Sequence, residues 1–248
     1  HHVYLVDAGS TSKKKTGQYQ IIPWLKYIGT RRVEGIFITH WDEDHISAVG
    51  ELLDWSKSSR VKIRRIFLPD AALKDEALET LLQQIEEADV PVEYLSAGEC
   101  MTDGALQISC LHPYAKKVPE DRNDASLVLR LSQGEFQMLL TGDLEQSGED
   151  WLVEQAQPSA QNSLRCTILD AGHHGASNAT GEALLDLAQP ELVLISCGKN
   201  NRYGHPAPEM LKRLEERGIC WYSTAKVGAI QVHVGKKKVK IETIKRNS

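Results

Sequence analysis

The chain has 248 residues, 41% of them hydrophobic, 25% charged and 6% aromatic. That composition suits a folded α/β protein of one large domain, residues 1–248, and excludes disordered, collagen-like and disulfide-framework chains. A total of 29 Lys and Arg against 34 Asp and Glu gives a formal net charge of −5, which argues against an obligate, strongly basic nucleic-acid binder while leaving room for a local basic groove.

No apolar run approaches the roughly 20 residues needed to span a bilayer, and no charged-then-apolar leader opens the chain. His1-His2 stands directly before an apolar run, either as a native start, as a tag remnant or as the edge of a piece cut from something longer. Val3 to Val6 predicts a buried strand ending at Asp7-Ala8-Gly9-Ser10. A basic loop from Ser12 to Gly17 follows, then a helix over Gln20 to Ile28 from the spacing of Ile21, Ile22, Leu25 and Ile28. Gly35 to Ile38 is strand-like and runs into Thr39-His40. Ile46 to Trp55 predicts a helix, Val61 to Leu68 an alternating strand, and Ala72 to Ala88 an amphipathic helix. Three strand-like runs come next, at Val90 to Leu95, Leu106 to Leu111 and Ser126 to Leu131.

The second half repeats the strand–helix alternation. Phe136 to Leu140 is a strand ending at Thr141-Gly142-Asp143, and Glu149 to Gln157 a helix. Cys166 to Leu169 leads to Asp170-Ala171-Gly172-His173-His174-Gly175, and a helix covers Gly181 to Ala188. Leu192 to Ser196 precedes a glycine-containing loop to His205, and a helix spans Pro206 to Arg217. Strands near Cys220 to Tyr222, Ala229 to Val234 and Val239 to Ile244 close the chain. The pattern fits two sheets packed face to face with helices outside. Cys100, Cys110, Cys166, Cys197 and Cys220 are odd in number and lack CxxC spacing, so they read as small core thiols rather than a disulfide framework or thiolate zinc site.

The residues that carry chemistry gather where strands end. His40-Trp41-Asp42-Glu43-Asp44-His45 places two imidazoles and three carboxylates in six residues. His and Asp together suit Zn²⁺, Mn²⁺ or Fe; the plainer reading is an acidic turn in which Asp42 or Asp44 caps the next helix. Asp143, the His173-His174 pair and His205 each follow another strand, and four such clusters in one chain favour the metal. There is no G-x-S-x-G elbow, Walker loop or G-x-G-x-x-G after a strand. Lys13-Lys14-Lys15 and Lys236-Lys237-Lys238 read as solvated loops that can touch phosphates.

The order of these motifs resembles the metallo-β-lactamase superfamily, whose signature is H-x-H-x-D-H after a strand, a later histidine, an aspartate after another strand and a late histidine. Here His40, Asp42, Asp44 and His45 fall in register with the first motif and Asp143 with the bridging aspartate. D-A-G-S at 7, T-H-W-D-E-D-H at 39, N-D-A-S-L-V-L at 123, L-L-T-G-D-L-E at 139, G-H-H-G-A-S at 172 and S-C-G-K-N-N-R-Y-G-H-P at 196 look most like the C-terminal soluble domain of ComEC-type DNA-internalisation competence proteins and its stand-alone relatives. The resemblance implies a four-layer αββα sandwich with its site at one edge of the two sheets, one or two divalent ions (Zn or Mn), and phosphodiester hydrolysis, in this branch by a nuclease acting on the DNA strand that is not taken up.

It also implies roles. His40, Asp42, Asp44, His45, Asp143 and His173 are the expected metal ligands; Asp44, His174 and His205 the expected catalytic groups, with His174 beside the substrate phosphate; Arg202, Asn123 and Ser126 the expected substrate contacts. Two departures stand out: Asp42 replaces the second histidine of the first motif, and the third histidine's region carries Asn123 and Ser126. They leave the first metal position poor in imidazole. Two other readings follow, a hydrolase of a small phosphoester and a fold-retaining domain with reduced or lost metal binding. Partners are then DNA or a small phosphoester, with a membrane channel domain if the chain is a fragment. Location follows the same division: the outer face of the cell membrane for a fragment, the cytoplasm for a stand-alone protein.

Overall fold

The computed structural model describes residues 2–115, 121–156, 163–235 and 238–244. Two sheets dominate. The first holds β1 (Tyr4–Val6), β3 (Gly35–Phe37), β5 (Ile66–Pro69) and β6 (Val92–Leu95), in the order β1-β3-β5-β6 and all parallel. The second runs β13-β12-β11-β10-β9-β8-β7. Its members are β7 (Cys100–Asp103), β8 (Leu106–His112), β9 (Val128–Gln133), β10 (Phe136–Leu140), β11 (Ile168–Asp170), β12 (Leu192–Ile195) and β13 (Cys220–Ser223). β7 to β10 pair antiparallel, and β10 to β13 pair parallel. Two short ribbons stand apart, β2 (Arg32–Val33) with β4 (Lys62–Ile63), and β14 (Ala229–Val234) with β15 (Val239–Ile244).

Strand periodicity builds the layers. Successive side chains of a strand point to opposite faces. Ile36 and Ile38 therefore join one core and Phe37 another; Ile66 and Leu68 divide from Phe67 in the same way. The outward set packs under α1 (Ile22–Tyr27), α3 (Val49–Ser58) and α4 (Glu79–Glu87) through Leu25, Leu52, Leu53 and Ile85. The inward set meets the second sheet, where Phe37 and Phe67 stack at 4.3 Å and touch a layer with Leu127, Leu129 and Leu140. The far face of the second sheet carries Val128, Leu139, Leu169 and Val193 against α5 (Gln146–Gln155), α6 (Glu182–Ala188) and α7 (Pro208–Glu216). The result is the expected αββα order of layers.

Local differences have local causes. The run Val61 to Leu68 is two strands: β4 pairs with β2 while β5 pairs with β3. Only the second half of Ala72 to Ala88 is α-helical; two 3₁₀ turns, Asp70–Lys74 and Glu76–Leu78, precede it. β7 gives no strong apolar signal because it is an edge strand with alternate residues exposed. The short α2 (Glu43–Ile46) is formed by the second half of the acidic motif itself, with Asp42 at its N-cap. The expected end of the Glu149 helix at Gln157, and Lys236 and Lys237, lie outside the described residues. Among the described residues no helix is long and apolar enough to cross a membrane.

Candidate metal centre

Parallel strands deliver their C-terminal ends to one side of both sheets, where open α/β folds place ligands. β1 ends at Asp7, β3 leads to Thr39-His40, β10 to Asp143, β11 to His173-His174, and β12 to Ser196. The sheets meet here directly: the Leu127 N–H donates to the Thr39 carbonyl at 2.8 Å. A Cβ on Gly142 would lie 2.8 Å from Thr39 Cβ, so only glycine, here at φ +55°, lets Asp143 turn in beneath the first sheet.

Six side chains converge. His40 and His45 are buried, their rings 4.0 Å apart. His45 Nε2 faces Asp143 Oδ1 at 3.3 Å, and His40 Nε2 lies 4.0 Å from Asp143 Oδ2. His174 Nε2 is 3.4 Å from Asp44 Oδ2 and 3.7 Å from Asp143 Oδ2. His173 Nε2 is 3.7 Å from the same Asp143 oxygen. Two sets have donor atoms close enough to share an ion: His40, His45 and Asp143, and Asp44, His45 and His174. The Nε2 atoms of His40 and His45 have no hydrogen-bond partner. Buried polar atoms are ordinarily satisfied, so orphaned imidazole nitrogens aimed at a carboxylate fit a cation.

The surrounding bonds select those nitrogens. His45 Nδ1 pairs with Asp7 Oδ2 at 2.8 Å, and Asp7 also accepts from Thr39 N and Oγ1 at 2.7 and 2.8 Å. His174 Nδ1 pairs with the Ser196 carbonyl at 2.8 Å. With Nδ1 engaged, each Nε2 keeps its lone pair for the centre. Asp7, Thr39 and Ser196 therefore hold the candidate ligands in place, and the metal motif alone does not name them. The signal for Asp7 was its place in D-A-G-S, an acid at a strand end like Asp143.

Charge is tightly balanced. Burial lowers the His45 pKa, but Asp143 and Asp7 beside it outweigh that and push it up to about 11. Burial raises Asp143, yet His45, His174 and His40 hold it far below the usual carboxylate range. Burial and the neighbouring His45 lower His40. The Asp44 carboxyl is lowered by His174. Burial pushes Asp170, at the end of β11, up to about 7.

The other expected residues are placed as follows. Asp42 sits at the edge, 3.9 Å from His40 Nε2, while Arg122 reaches its other oxygen at 3.4 Å. His173 Nδ1 is 2.7 Å from a Glu145 oxygen, outside hydrogen-bond alignment. Of the adjacent pair, His174 rather than the expected His173 joins a set of potential ligands. Both hold left-handed backbone, φ +44° and +57°, which sends the two rings apart. His205 stands 5.8 Å from the His173 ring and is lowered by burial, His173 and His174. Arg202 packs on the Tyr203 ring and bonds its hydroxyl at 2.7 Å. Asn123 donates to Glu145 at 3.0 Å. Ser126 is wholly buried and its hydroxyl accepts from Asp143 N at 3.2 Å, so it positions Asp143 and cannot touch substrate as expected.

The chain is similar to known proteins over most of its length. Residues 1–93 match the model of the Metallo-beta-lactamase superfamily. ComE operon protein 3 of Bacillus subtilis is 33% identical over 215 residues, covering 87% of this chain and 26% of that protein. Competence protein ComA of Neisseria gonorrhoeae is 28% identical over 249 residues, covering 97% and 30%. The chain thus spans between a quarter and a third of the length of these relatives. The metallo-β-lactamase fold protein YhfI from Bacillus subtilis superposes with a TM-score of 0.56 at 13% identity, covering 89% of this chain and 83% of that one.

Proposed function

Starting from a chain of the metallo-β-lactamase superfamily that resembles competence proteins, we propose that it is a divalent-cation-dependent hydrolase of phosphodiesters, with DNA as substrate. The observation that carries this reading is the pair of buried, partnerless Nε2 atoms of His40 and His45 facing Asp143. That pair also opposes the reading of a domain that has lost its metals.

His40, His45 and Asp143 would hold one cation; Asp44, His45 and His174 offer a second, overlapping set. Imidazole with carboxylate suits Zn²⁺ or Mn²⁺. A divalent cation held there supplies Lewis acidity toward a phosphoryl oxygen and toward water. The chain's own groups do the rest. Asp7 and the Ser196 carbonyl orient His45 and His174. Asp44, half-buried and paired with His174, orients the attacking water. His205, at the open rim beside His173, is placed to give a proton or hydrogen bond to the leaving oxygen. Arg202 supplies a cation from the same loop for a phosphate oxygen.

The test is metal analysis of the purified protein, followed by assays on single-stranded DNA and on bis(p-nitrophenyl) phosphate with added Mn²⁺ or Zn²⁺. Bound metal with cleavage of both supports the proposal. Turnover of neither substrate at saturating metal would overturn it, and turnover of the small ester alone would restrict it to small phosphoesters.

A further inference from the structure

From residue 8 to residue 33 the chain has six Lys and Arg and not one Asp or Glu, in a protein whose total is −5. Lys13, Lys14, Lys15, Lys26 and Arg31 are exposed, and none forms an ion pair with a described residue; only Arg32 is paired, with Glu34. Aromatic rings lie among these cations. Tyr19 is 66% exposed, Trp24 50% and Tyr27 88%. α1 buries Ile22 and Leu25, which turns Trp24, Lys26 and Tyr27 to solvent. At its end a groove of about 600 Å³ is lined by Trp24, Ile28, Arg31, Arg32 and His2.

The stretch begins at the metal centre. Gly9 packs so closely on the backbone of Asp44 that a Cβ there would stand 2.4 Å from its carbonyl oxygen. Ser10 N donates to Ser47 Oγ, just past α2, and Ser10 Oγ accepts from Lys13 N at 3.2 Å. The far end returns to the start of β1, where Glu34 N donates to the Val3 carbonyl. The strip thus begins beside α2 at the metal centre and ends beside the start of edge strand β1.

We propose that this strip is a docking track for single-stranded nucleic acid, with backbone phosphates on the unpaired cations and bases stacked on Trp24, Tyr27 and Tyr19. It rests on the phosphodiesterase reading and extends it, since the track ends at the rim of the metal centre. Exposed rings among cations suit unstacked bases, which offer a free π-face; a duplex offers none along its length. Anionic bilayers also attract basic and aromatic surfaces. Two observations favour the polymer over a bilayer: the cations are strung out from the catalytic rim, and Ile28 is the one exposed large aliphatic residue among them.

The test uses the whole chain in EDTA with a fluorescein-labelled oligothymidylate of about 12 nucleotides, read by anisotropy over a range of salt. Wild type binds this strand more tightly than a duplex of equal length. Trp24→Ala with Tyr27→Ala weakens it by about tenfold or more. Lys13→Gln, Lys14→Gln and Lys15→Gln together reduce the slope of log K against log salt by about 2, from three phosphate contacts at about 0.7 each. Absent binding, equal affinity in both variants, or preference for duplex overturns the proposal. So does strip-dependent binding to phosphatidylserine vesicles without binding to the oligonucleotide. Turnover of bis(p-nitrophenyl) phosphate with metal reads the catalytic centre separately. Activity there without oligonucleotide binding removes the track and leaves the hydrolase; binding without turnover keeps the track and removes the hydrolase.

Discussion

Asp7 and His45, 38 residues apart in sequence, are joined by a 2.8 Å contact between Oδ2 and Nδ1. This single bond decides which imidazole nitrogen faces Asp143. Asp7→Asn replaces a double acceptor with a group that also donates, and it disturbs the two bonds from Thr39. Zinc or manganese affinity is expected to fall by about 10- to 100-fold, as for other partners of metal-bound histidine. Competition against a chromogenic chelator measures it, and unchanged affinity would refute the assigned role of Asp7.

Asp143 belongs to one candidate set and borders the other, within 4.0 Å of all four neighbouring imidazoles. Asp143→Ala is expected to lose bound metal and turnover together. Asp143→Asn, nearly equal in size, tests whether the loss is one of charge rather than of fold. Metal content by mass spectrometry, with circular dichroism as the check on folding, gives the answer. Stoichiometric metal in either variant would sink the assignment.

Gly9→Ala probes the contact between the first loop and α2. Its Cβ would meet the Asp44 carbonyl oxygen at 2.4 Å and the Glu43 carbonyl oxygen at 2.8 Å, both rigid backbone. Overpacking of this kind costs about 1–3 kcal/mol, and it displaces Asp44. A lower melting temperature and weaker metal binding are both expected; a variant matching wild type in the two measurements contradicts the packing described.

The cysteines divide by exposure. Cys100 and Cys220 are exposed, Cys197 is half-buried, and Cys110 and Cys166 are buried with their thiols pushed up to about 12 by burial. The expectation of five core thiols therefore holds for two. Since thiolate is the reactive form, a disulfide reagent near pH 8 should modify Cys100 and Cys220 rapidly, and Cys110 and Cys166 only after unfolding. Peptide mapping of the modified protein checks this, and rapid labelling of Cys110 in the native state would contradict it.

Much of the site was legible because apolar strands end in polar clusters, and those clusters could be counted along the chain. His40, Asp44, His45 and Asp143 were found in this way, and the structure brings them together. Ser126 was misread because nothing in its neighbourhood reveals that it lies between two sheets. The split of Val61 to Leu68 was invisible for a related reason: the run is strand-like throughout, and only the pairing partners of its halves differ.

The sequence by itself determined two sheets packed face to face with helices outside, since strand-sized apolar runs alternate with helix-period runs along the chain. It determined as well the kinds of ligand atoms available. Tertiary structure alone decided which nitrogen of which histidine points inward. His173 and His174 are identical neighbours in the chain. Their separation comes from two left-handed backbone conformations and from a carbonyl 22 residues away at Ser196, a long-range constraint that no local pattern encodes.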